Sequence, residues 1–197
     1  MESIAWGYLM KTDKMKEVST ILRKGTKGND VKELQTQLNA LDINAGIVDG
    51  IFGSGTEKAV KELQTIFGLD VDGIVGNDTH YVLNTLKKIT HFKLSEFKCE
   101  GCKELKLNIN LLLKLEELRK QTGLLIVNSG YRSPAYNKKV GGHINSEHLR
   151  GNAADVKAAN MSPDKVHAIA DKIFNGVGKY NTFTHVDMGV KRLRWNG

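Results

Sequence analysis

The sequence predicts two domains, a small all-α helical bundle followed by an α+β domain. Three observations support this fold class: an internal repeat is confined to the first part of the chain, the motifs beyond about residue 90 are not repeated, and helical and strand patterns alternate in that second part. The chain has 197 residues, of which 40% are hydrophobic and 26% charged. That length and composition suit a globular protein of two modest domains.

The repeat consists of a helix motif and a turn motif. "VKELQTQLNAL" from Val31 returns as "VKELQTIFGLD" from Val60, and "VDGIFGSGT" returns later as "VDGIVGNDT". The apolar residues of each helix motif recur at helical spacing, which predicts an amphipathic helix that buries one stripe. Each "VDG" predicts a turn, because Asp bonds to its own backbone and Gly adopts a positive φ. We expect Ser54 and Asn77 to cap the helices that follow the turns.

The second part contains the patterns of two helices and two strands. "NINLLLKLEELRKQTG" predicts a helix that ends at Gly123, and "LLIV" predicts a short buried strand. "NSGYRSPAYN" then predicts a turn and a loop that carries Arg132. "SPDKVHAIADKIF" predicts a helix with Ser162 as its cap and Pro163 in its first turn, and "FTHVDM" predicts the last strand.

Two histidines and two aspartates stand out in this second part. "SEHLRGNAADV" contains His148 and Asp155, and a strand over "FTHVDM" projects His185 and Asp187 to the same face. From the residues alone, such a group could bind a metal, relay a proton or form a buried ion pair. Two imidazoles and one carboxylate would fill three of the four tetrahedral positions of zinc and leave the fourth for water.

Three segments of the first part occur in the order of a known repeat domain: "LRKGTKGNDVKELQTQLNAL", "DGIFGSGTEKAVKELQ" and "VDGIVGNDT". They resemble the peptidoglycan-binding repeat domain of bacterial wall hydrolases. The resemblance implies a helical wall-binding domain over residues 22–88, with peptidoglycan as its partner, and leaves residues 1–21 unassigned. We expect the shared turn residues to serve the fold rather than to contact sugar, namely Asp49, Gly50, Phe52, Gly53 and Thr56.

Three segments of the second part, "SGYRSPAYN", "GGHINSEHLRGNAAD" and "FTHVDMGVKRLRW", also follow a known order. They resemble the zinc-dependent D,D-carboxypeptidase and wall-endopeptidase family that includes the VanY-type enzymes. The resemblance implies an α+β domain of the hedgehog/D,D-peptidase type over residues 91–197. It further implies one zinc per chain, with His148, Asp155 and His185 as ligands and with Ser146 among the substrate-binding residues.

The same resemblance gives Arg132 of "GYRS" a catalytic and substrate-binding role. Its guanidinium would hold a substrate carboxylate or steady an oxyanion, because it stays charged and can bind two oxygens at once. The alternative from the residues alone is an ion pair that holds the loop.

The general base is the position at which the chain departs from its resemblance. Relatives with a Glu-x-x-His motif place the base three residues before the last ligand, where this chain has Thr182. Asp187 is the predicted catalytic substitute, since it shares a strand face with His185. It could equally anchor a ligand imidazole from behind. Glu147 and His143 are the remaining candidates.

The net charge of +7 predicts a polyanionic partner. The lysines are spread along the chain without a basic helix or an aromatic reading motif, so nucleic acid is not the expected partner. The sequence contains no run of about 18 apolar residues, so we expect no insertion into a membrane. The start of the chain lacks the pattern of a signal peptide, so we expect a cytoplasmic protein, monomeric, that is released to the cell wall.

These features together predict a peptidoglycan hydrolase similar to a phage or prophage endolysin, which cleaves an amide bond in the peptide stems by means of a zinc-activated water. The rival hypothesis is a non-catalytic wall-binding protein with a decayed peptidase domain. The sequence leaves open which stem bond is cut and whether the enzyme is an endopeptidase or a carboxypeptidase.

The two cysteines of the chain, Cys99 and Cys102, form the motif "CEGC". Such a pair supplies half of a structural zinc site, and no second pair follows. A small local staple, two reduced buried thiols and a redox pair are the open interpretations.

Overall fold

The computed structural model describes residues 20–197. Its helices and strands confirm the predicted class, a helical part followed by a mixed α+β part. The α-helices within these residues are α1 Asn29–Ala40, α2 Ser54–Phe67, α3 Asn77–Leu86, α4 Ile109–Thr122, α5 Pro134–Lys139 and α6 Pro163–Ala170. The strands of the described part are β1 Leu125–Ser129, β2 Ala153–Ala158, β3 Gly176–Lys179, β4 Thr184–Asp187 and β5 Leu193–Asn196. Two short 3₁₀ turns cover Leu94–Phe97 and Glu147–Arg150.

A buried glutamine organises the first copy of the repeat. Gln35 Nε2 donates hydrogen bonds to Asp49 Oδ1 at 3.0 Å, to the Ile51 carbonyl at 3.2 Å and to Thr56 Oγ1 at 3.1 Å. Gln35 Oε1 accepts the Gly50 N–H at 2.9 Å. The Gln35 side chain on α1 thereby provides hydrogen-bond partners for polar groups of the turn that leads into α2. The predicted folding role of Asp49, Gly50 and Thr56 is confirmed.

The second copy of the repeat has the same network. Gln64 on α2 donates to Asp72 Oδ1 at 2.8 Å, to the Ile74 carbonyl at 3.0 Å and to Thr79 Oγ1 at 3.3 Å. Its Oε1 accepts the Gly73 N–H at 2.9 Å. Gly50 and Gly73 both have φ of +77°, as the "DG" motif predicts. The repeat is therefore one structural unit used twice, with glutamine as its buried connector.

Ser54 and Asn77 do not cap their helices, so that part of the sequence prediction is wrong. Each is the first residue of its helix, and the N-cap positions belong to Gly53 and Gly76, which are extended. Glycine is among the tolerated N-cap residues, because its backbone reaches the required conformation without a side chain. The turn is thus one residue shorter than expected.

The predicted helix before the sheet is confirmed. Asn108 caps α4, its side chain accepting the Asn110 N–H at 2.9 Å, and Gly123 follows the last helical residue with φ of +77°. The strand predicted as buried is β1, and here the prediction is wrong in one respect. Leu125 is buried, whereas Leu124 and Ile126 are 54% and 38% exposed. Burial alternates along β1, so one face of the strand packs on the core and the other is open to solvent.

The sheet has the order β1-β2-β4-β3-β5, so β2 and β4 are interior neighbours. They pair in antiparallel register with Asp155 opposite His185 and Ala154 opposite Val186. Ala154 and Val186 are fully buried in the apolar core, and α6 packs on β2, β3 and β4. Since alternate residues of a strand point to opposite faces, Asp155 and His185 share the other face.

The two parts of the chain share a continuous apolar core, and one backbone hydrogen bond joins them directly. The Leu107 N–H donates to the Ile66 carbonyl at 2.8 Å, which ties the end of α2 to the segment before α4. Within residues 20–197, no helix combines the length and the apolar character needed to cross a bilayer.

We expect Gln64→Leu to lower the free energy of unfolding by roughly 2–4 kcal/mol, because leucine fills a similar volume but leaves buried polar groups of the turn without partners. The unfolding midpoint in urea, followed by circular dichroism, measures the effect. Gln121→Leu is the matched control, since Gln121 lies exposed on α4 and should change stability by less than about 0.5 kcal/mol. Equal midpoints for the two variants would show that the glutamine network contributes little to stability.

Candidate metal centre

Three side chains from three backbone elements converge in the second part. His148 lies in the 3₁₀ turn Glu147–Arg150, Asp155 on β2 and His185 directly opposite it on β4. Gly151 ends the 3₁₀ turn with φ of +71°, and a Cβ there would clash with the backbone of Lys106. Glycine is therefore required for the chain to turn from His148 back into β2.

The donor atoms of these side chains face one another. His148 Nε2 lies 3.2 Å from His185 Nδ1 and 3.3 Å from Asp155 Oδ1, and His185 Nδ1 lies 2.8 Å from the same oxygen. His148 is 1% exposed and Asp155 6%, and the His185 side chain is 12% exposed. Within the described part of the chain, these residues form a group whose ligand atoms all lie within 4.8 Å of one another.

Each imidazole has an inner nitrogen, which faces the other two ligands, and an outer nitrogen, which faces away from them. Each outer nitrogen has its own hydrogen-bond acceptor. His148 Nδ1 lies 2.6 Å from the Gly130 carbonyl, and His185 Nε2 lies 3.3 Å from Asp187 Oδ2. If each outer nitrogen carries the proton that it donates, the inner nitrogens present lone pairs. Two lone pairs and a carboxylate oxygen then point at one another, which is unfavourable until a cation lies between them. This donor set, with both imidazoles oriented from outside, fits zinc.

The pKa directions of His148 and Asp155 favour metal binding, whereas that of His185 favours a bound proton. Burial lowers the pKa of His148 below its usual value, which keeps that imidazole neutral at pH 7. Burial acts to raise the pKa of Asp155, but before a metal binds, hydrogen bonds from His148 and His185 outweigh burial and hold that pKa well below its usual range. Asp155 is therefore ionised. Burial acts to lower the pKa of His185, but the hydrogen bonds that it donates to Asp155 and Asp187 raise that pKa above its usual value. A metal that binds this imidazole must therefore displace its proton.

Arg132 binds the second oxygen of the aspartate. Its Nη2 forms a buried ion pair with Asp155 Oδ2, and its Nε donates to Ser129 Oγ at 2.9 Å. The Arg132 backbone N–H also donates to the His148 carbonyl at 3.1 Å. These contacts support the ion-pair alternative from the sequence. A direct contact of Arg132 with substrate stays a prediction, and its side chain is 16% exposed beside a cavity of about 110 Å³.

Asp187 is buried behind His185 rather than beside the inner nitrogens. Its Oδ2 faces His185 Nε2, and its Oδ1 accepts the Gly189 N–H at 2.7 Å. Gly176, opposite on β3, leaves room for this carboxylate, which a Cβ at that position would overlap. The geometry supports the anchoring alternative for Asp187, while its role as a general base stays a prediction.

The other predicted residues lie around the centre without joining it. Glu147 Oε2 accepts from the Asn152 side chain at 2.9 Å, and Ser146 precedes the 3₁₀ turn with no side-chain cap bond. His143 is exposed, and its Nδ1 accepts the N–H of a neighbouring loop residue at 3.1 Å. Thr182 is also exposed.

Two groups at the site were not predicted from the sequence. The Gly130 carbonyl, which orients His148, is a backbone atom and has no residue signature. The Trp195 ring on β5 lies 5.2 Å from the His185 ring between centroids, and its indole N–H donates to Tyr180 Oη at 3.2 Å. Trp195 belongs to the segment "FTHVDMGVKRLRW" that carries the family resemblance, but its distance from His185 along the sequence does not predict that the two rings lie side by side.

Comparisons with protein families and known proteins match both parts of the chain. The family model described as Peptidase M15 matches residues 87–187, and the one described as a putative peptidoglycan binding domain matches residues 27–83. The chain belongs to the Peptidase M15 family.

Among curated proteins, the chain is similar to the zinc D-Ala-D-Ala carboxypeptidase of Streptomyces albus G, with 29% identity over 89% of this chain and 78% of that protein. It is also similar to the spore cortex-lytic enzyme of Bacillus subtilis, with 42% identity over 32% of this chain, but it covers only 21% of that enzyme. A solved Burkholderia AP3 phage endolysin matches 53% of this chain and 34% of its own, with 28% identity and a TM-score of 0.32. The chain thus combines a peptidase domain of this family with a putative peptidoglycan binding domain.

We expect the purified full chain to hold about one zinc, and His148→Ala to lose both the zinc and the activity, because the variant leaves two protein ligands. Elemental analysis after dialysis measures the metal. His80→Ala is the matched control, since His80 lies on α3 in the helical part, and it should retain zinc. Full zinc occupancy in His148→Ala would refute the assignment of His148 as a ligand.

Proposed function

We propose that this chain hydrolyses an amide bond in the peptide stems of peptidoglycan at a zinc site formed by His148, Asp155 and His185. The observation that carries the proposal is the convergence of two inner nitrogens and one carboxylate oxygen, each held from behind by a second group. When bound, zinc supplies a Lewis acid that polarises a carbonyl and lowers the pKa of a water molecule.

The role of the protein is to fix this site before substrate arrives. The Gly130 carbonyl and Asp187 set the orientation of the two imidazoles, and Arg132 sets that of the Asp155 carboxylate. Partners of this kind typically contribute about 10- to 100-fold in metal affinity or activity. We therefore place Arg132 and Asp187 as positioning residues, and we add a contact of the partly exposed Arg132 with a carboxylate or oxyanion of the substrate.

We further propose a division of labour along the chain, with residues 22–88 bound to the wall and residues 91–197 carrying out hydrolysis. Binding to an insoluble polymer raises the local concentration of its peptide stems without any new catalytic contact. The net charge of +7 favours approach to a wall rich in anionic polymers.

An endolysin-like role follows from this combination of domains, with a monomer as the working unit. The rival, a wall-binding protein with a decayed peptidase domain, is disfavoured because the ligands and their outer partners are all present. Both a carboxypeptidase and an endopeptidase are compatible with the site, since the choice depends on how the stem peptide lies in the cleft.

Digestion of purified peptidoglycan, followed by mass spectrometry of the muropeptides, tests the proposal. We expect shortened stems, no activity after treatment with a chelator and recovery on addition of zinc. Loss of a terminal D-alanine would define a carboxypeptidase, whereas separated cross-links would define an endopeptidase. Intact stems with the zinc-loaded protein, on walls of several chemotypes, would favour the non-catalytic rival.

Asp187→Asn separates anchoring from proton transfer. If Asp187 anchors His185, the variant should bind zinc about 10- to 100-fold more weakly and regain most of its turnover when zinc is saturating. If Asp187 is the general base, zinc affinity should be unchanged and turnover should fall by about 10²- to 10⁴-fold. Zinc titration and turnover at saturating zinc distinguish the two, and our structure-based expectation is the first.

A further inference from the structure

The two cysteines lie in one closed turn. The Cys99 N–H donates to the Glu104 carbonyl and the Lys103 N–H donates to the Cys99 carbonyl, both at 2.8 Å. Lys103 has φ of +63°, which completes the reversal of the chain. Both thiols are free, with Cys99 fully buried and Cys102 exposed. The Cys102 sulfur is thus accessible to reagents in solution, whereas the Cys99 sulfur is buried.

The buried sulfur contacts the loop of the metal centre. Cys99 Sγ accepts the Ser133 backbone N–H at 3.3 Å and lies 3.6 Å from Ser133 Oγ. Ser133 is adjacent in sequence to Arg132 and caps α5 through its side chain, which accepts the Tyr136 N–H. Burial acts to raise the pKa of the Cys99 thiol, but hydrogen bonds from Ser133 and Cys102 lower it to about 7. Part of the Cys99 population is therefore ionised to the thiolate near neutral pH.

The backbone before the cysteines supports the same loop. The Tyr131 N–H donates to the Phe97 carbonyl at 2.9 Å, and Gly130 packs so closely on the Phe97 backbone that a Cβ would not fit. The Gly130 carbonyl in turn holds His148. The segment 94–104 is thus the support behind the loop that orients one zinc ligand through Gly130 and another through Arg132.

We propose that Cys99 and Cys102 form a thiol–disulfide exchange site for low-molecular-weight disulfides, and that its oxidation weakens the metal centre through Ser133 and Arg132. Cys102 attacks the small disulfide first, because it is the exposed sulfur. One thiol of the reagent leaves, and a mixed disulfide forms on Cys102. The Cys99 thiolate then attacks the Cys102 sulfur and expels the second thiol.

The exchange balances without any other reactant. The two protein thiols lose two electrons and two protons to form one S–S bond, while the reagent disulfide gains them and becomes two thiols. Oxidation removes the thiolate of Cys99 and draws its sulfur toward Cys102. The Ser133 N–H then loses a strong acceptor, and the adjacent Arg132 is less firmly held against Asp155.

The effect on hydrolysis rests on the proposed function, whereas the exchange and its effect on zinc do not. We expect oxidised protein to release zinc to a chelator about three- to tenfold faster and to turn over about three- to tenfold more slowly, the range that corresponds to one lost hydrogen bond. Addition of a phosphine reductant should reverse both changes.

The experiment treats the zinc-loaded full chain with oxidised glutathione and follows intact mass, zinc release to a chromogenic chelator, and turnover. The expected product has lost about 2 Da, carries no glutathione and has no free thiol. Cys102→Ser is the matched control, because it keeps the buried Cys99 contact with Ser133 but cannot form the disulfide. This variant should keep its mass, its rate of zinc release and its turnover under the same treatment.

A stable glutathione adduct on Cys102 with Cys99 still free would overturn the exchange site, because the two sulfurs would then fail to react with each other. A disulfide that forms with zinc release unchanged relative to Cys102→Ser would overturn the coupling to the metal centre. Since zinc release is measured without substrate, these outcomes stand even if the chain proves unable to hydrolyse peptidoglycan.

Discussion

The convergence of two imidazole nitrogens and one carboxylate oxygen at the centre of the sheet is the constraint on which the site depends. The antiparallel register of β2 and β4 brings Asp155 opposite His185, and the turn at Gly151 adds His148 from the side. Because the outer nitrogens are held by Gly130 and Asp187, the inner ones cannot readily turn away. A cation at this point would offset the charge of the buried carboxylate and bind a lone pair of each imidazole, so the fold and the metal stabilise each other.

The loop over residues 129–133 transmits this constraint to the rest of the second part. It provides the carbonyl that orients His148 and the guanidinium that binds Asp155, and the segment 94–104 supports it from behind. The helical part uses a different device, a buried glutamine that satisfies each turn. In both parts of the chain, buried polar groups thus hold neighbouring segments in place. Leaving such a group without a hydrogen-bond partner costs free energy, and this cost disfavours other arrangements.

The sequence was sufficient to predict the class of each part, since the repeat and the strand alternation of His185 and Asp187 follow from periodicity. The zinc ligand set came from a resemblance, because spacing alone left His148 and Asp155 compatible with an ion pair. The Gly130 carbonyl could not be predicted, as a backbone atom leaves no residue pattern. The partners of Arg132 and the exposed face of β1 depend on how distant segments of the chain pack together, which local patterns do not encode.

X-ray absorption at the zinc edge of the full chain tests the central claim most directly, because it reports the atoms that bind the metal. The account predicts two imidazole nitrogens at about 2.0–2.1 Å and carboxylate or water oxygens at about 2.0–2.2 Å, with no sulfur. Sulfur scattering at about 2.3 Å, which would place the zinc on Cys99 and Cys102, would contradict it.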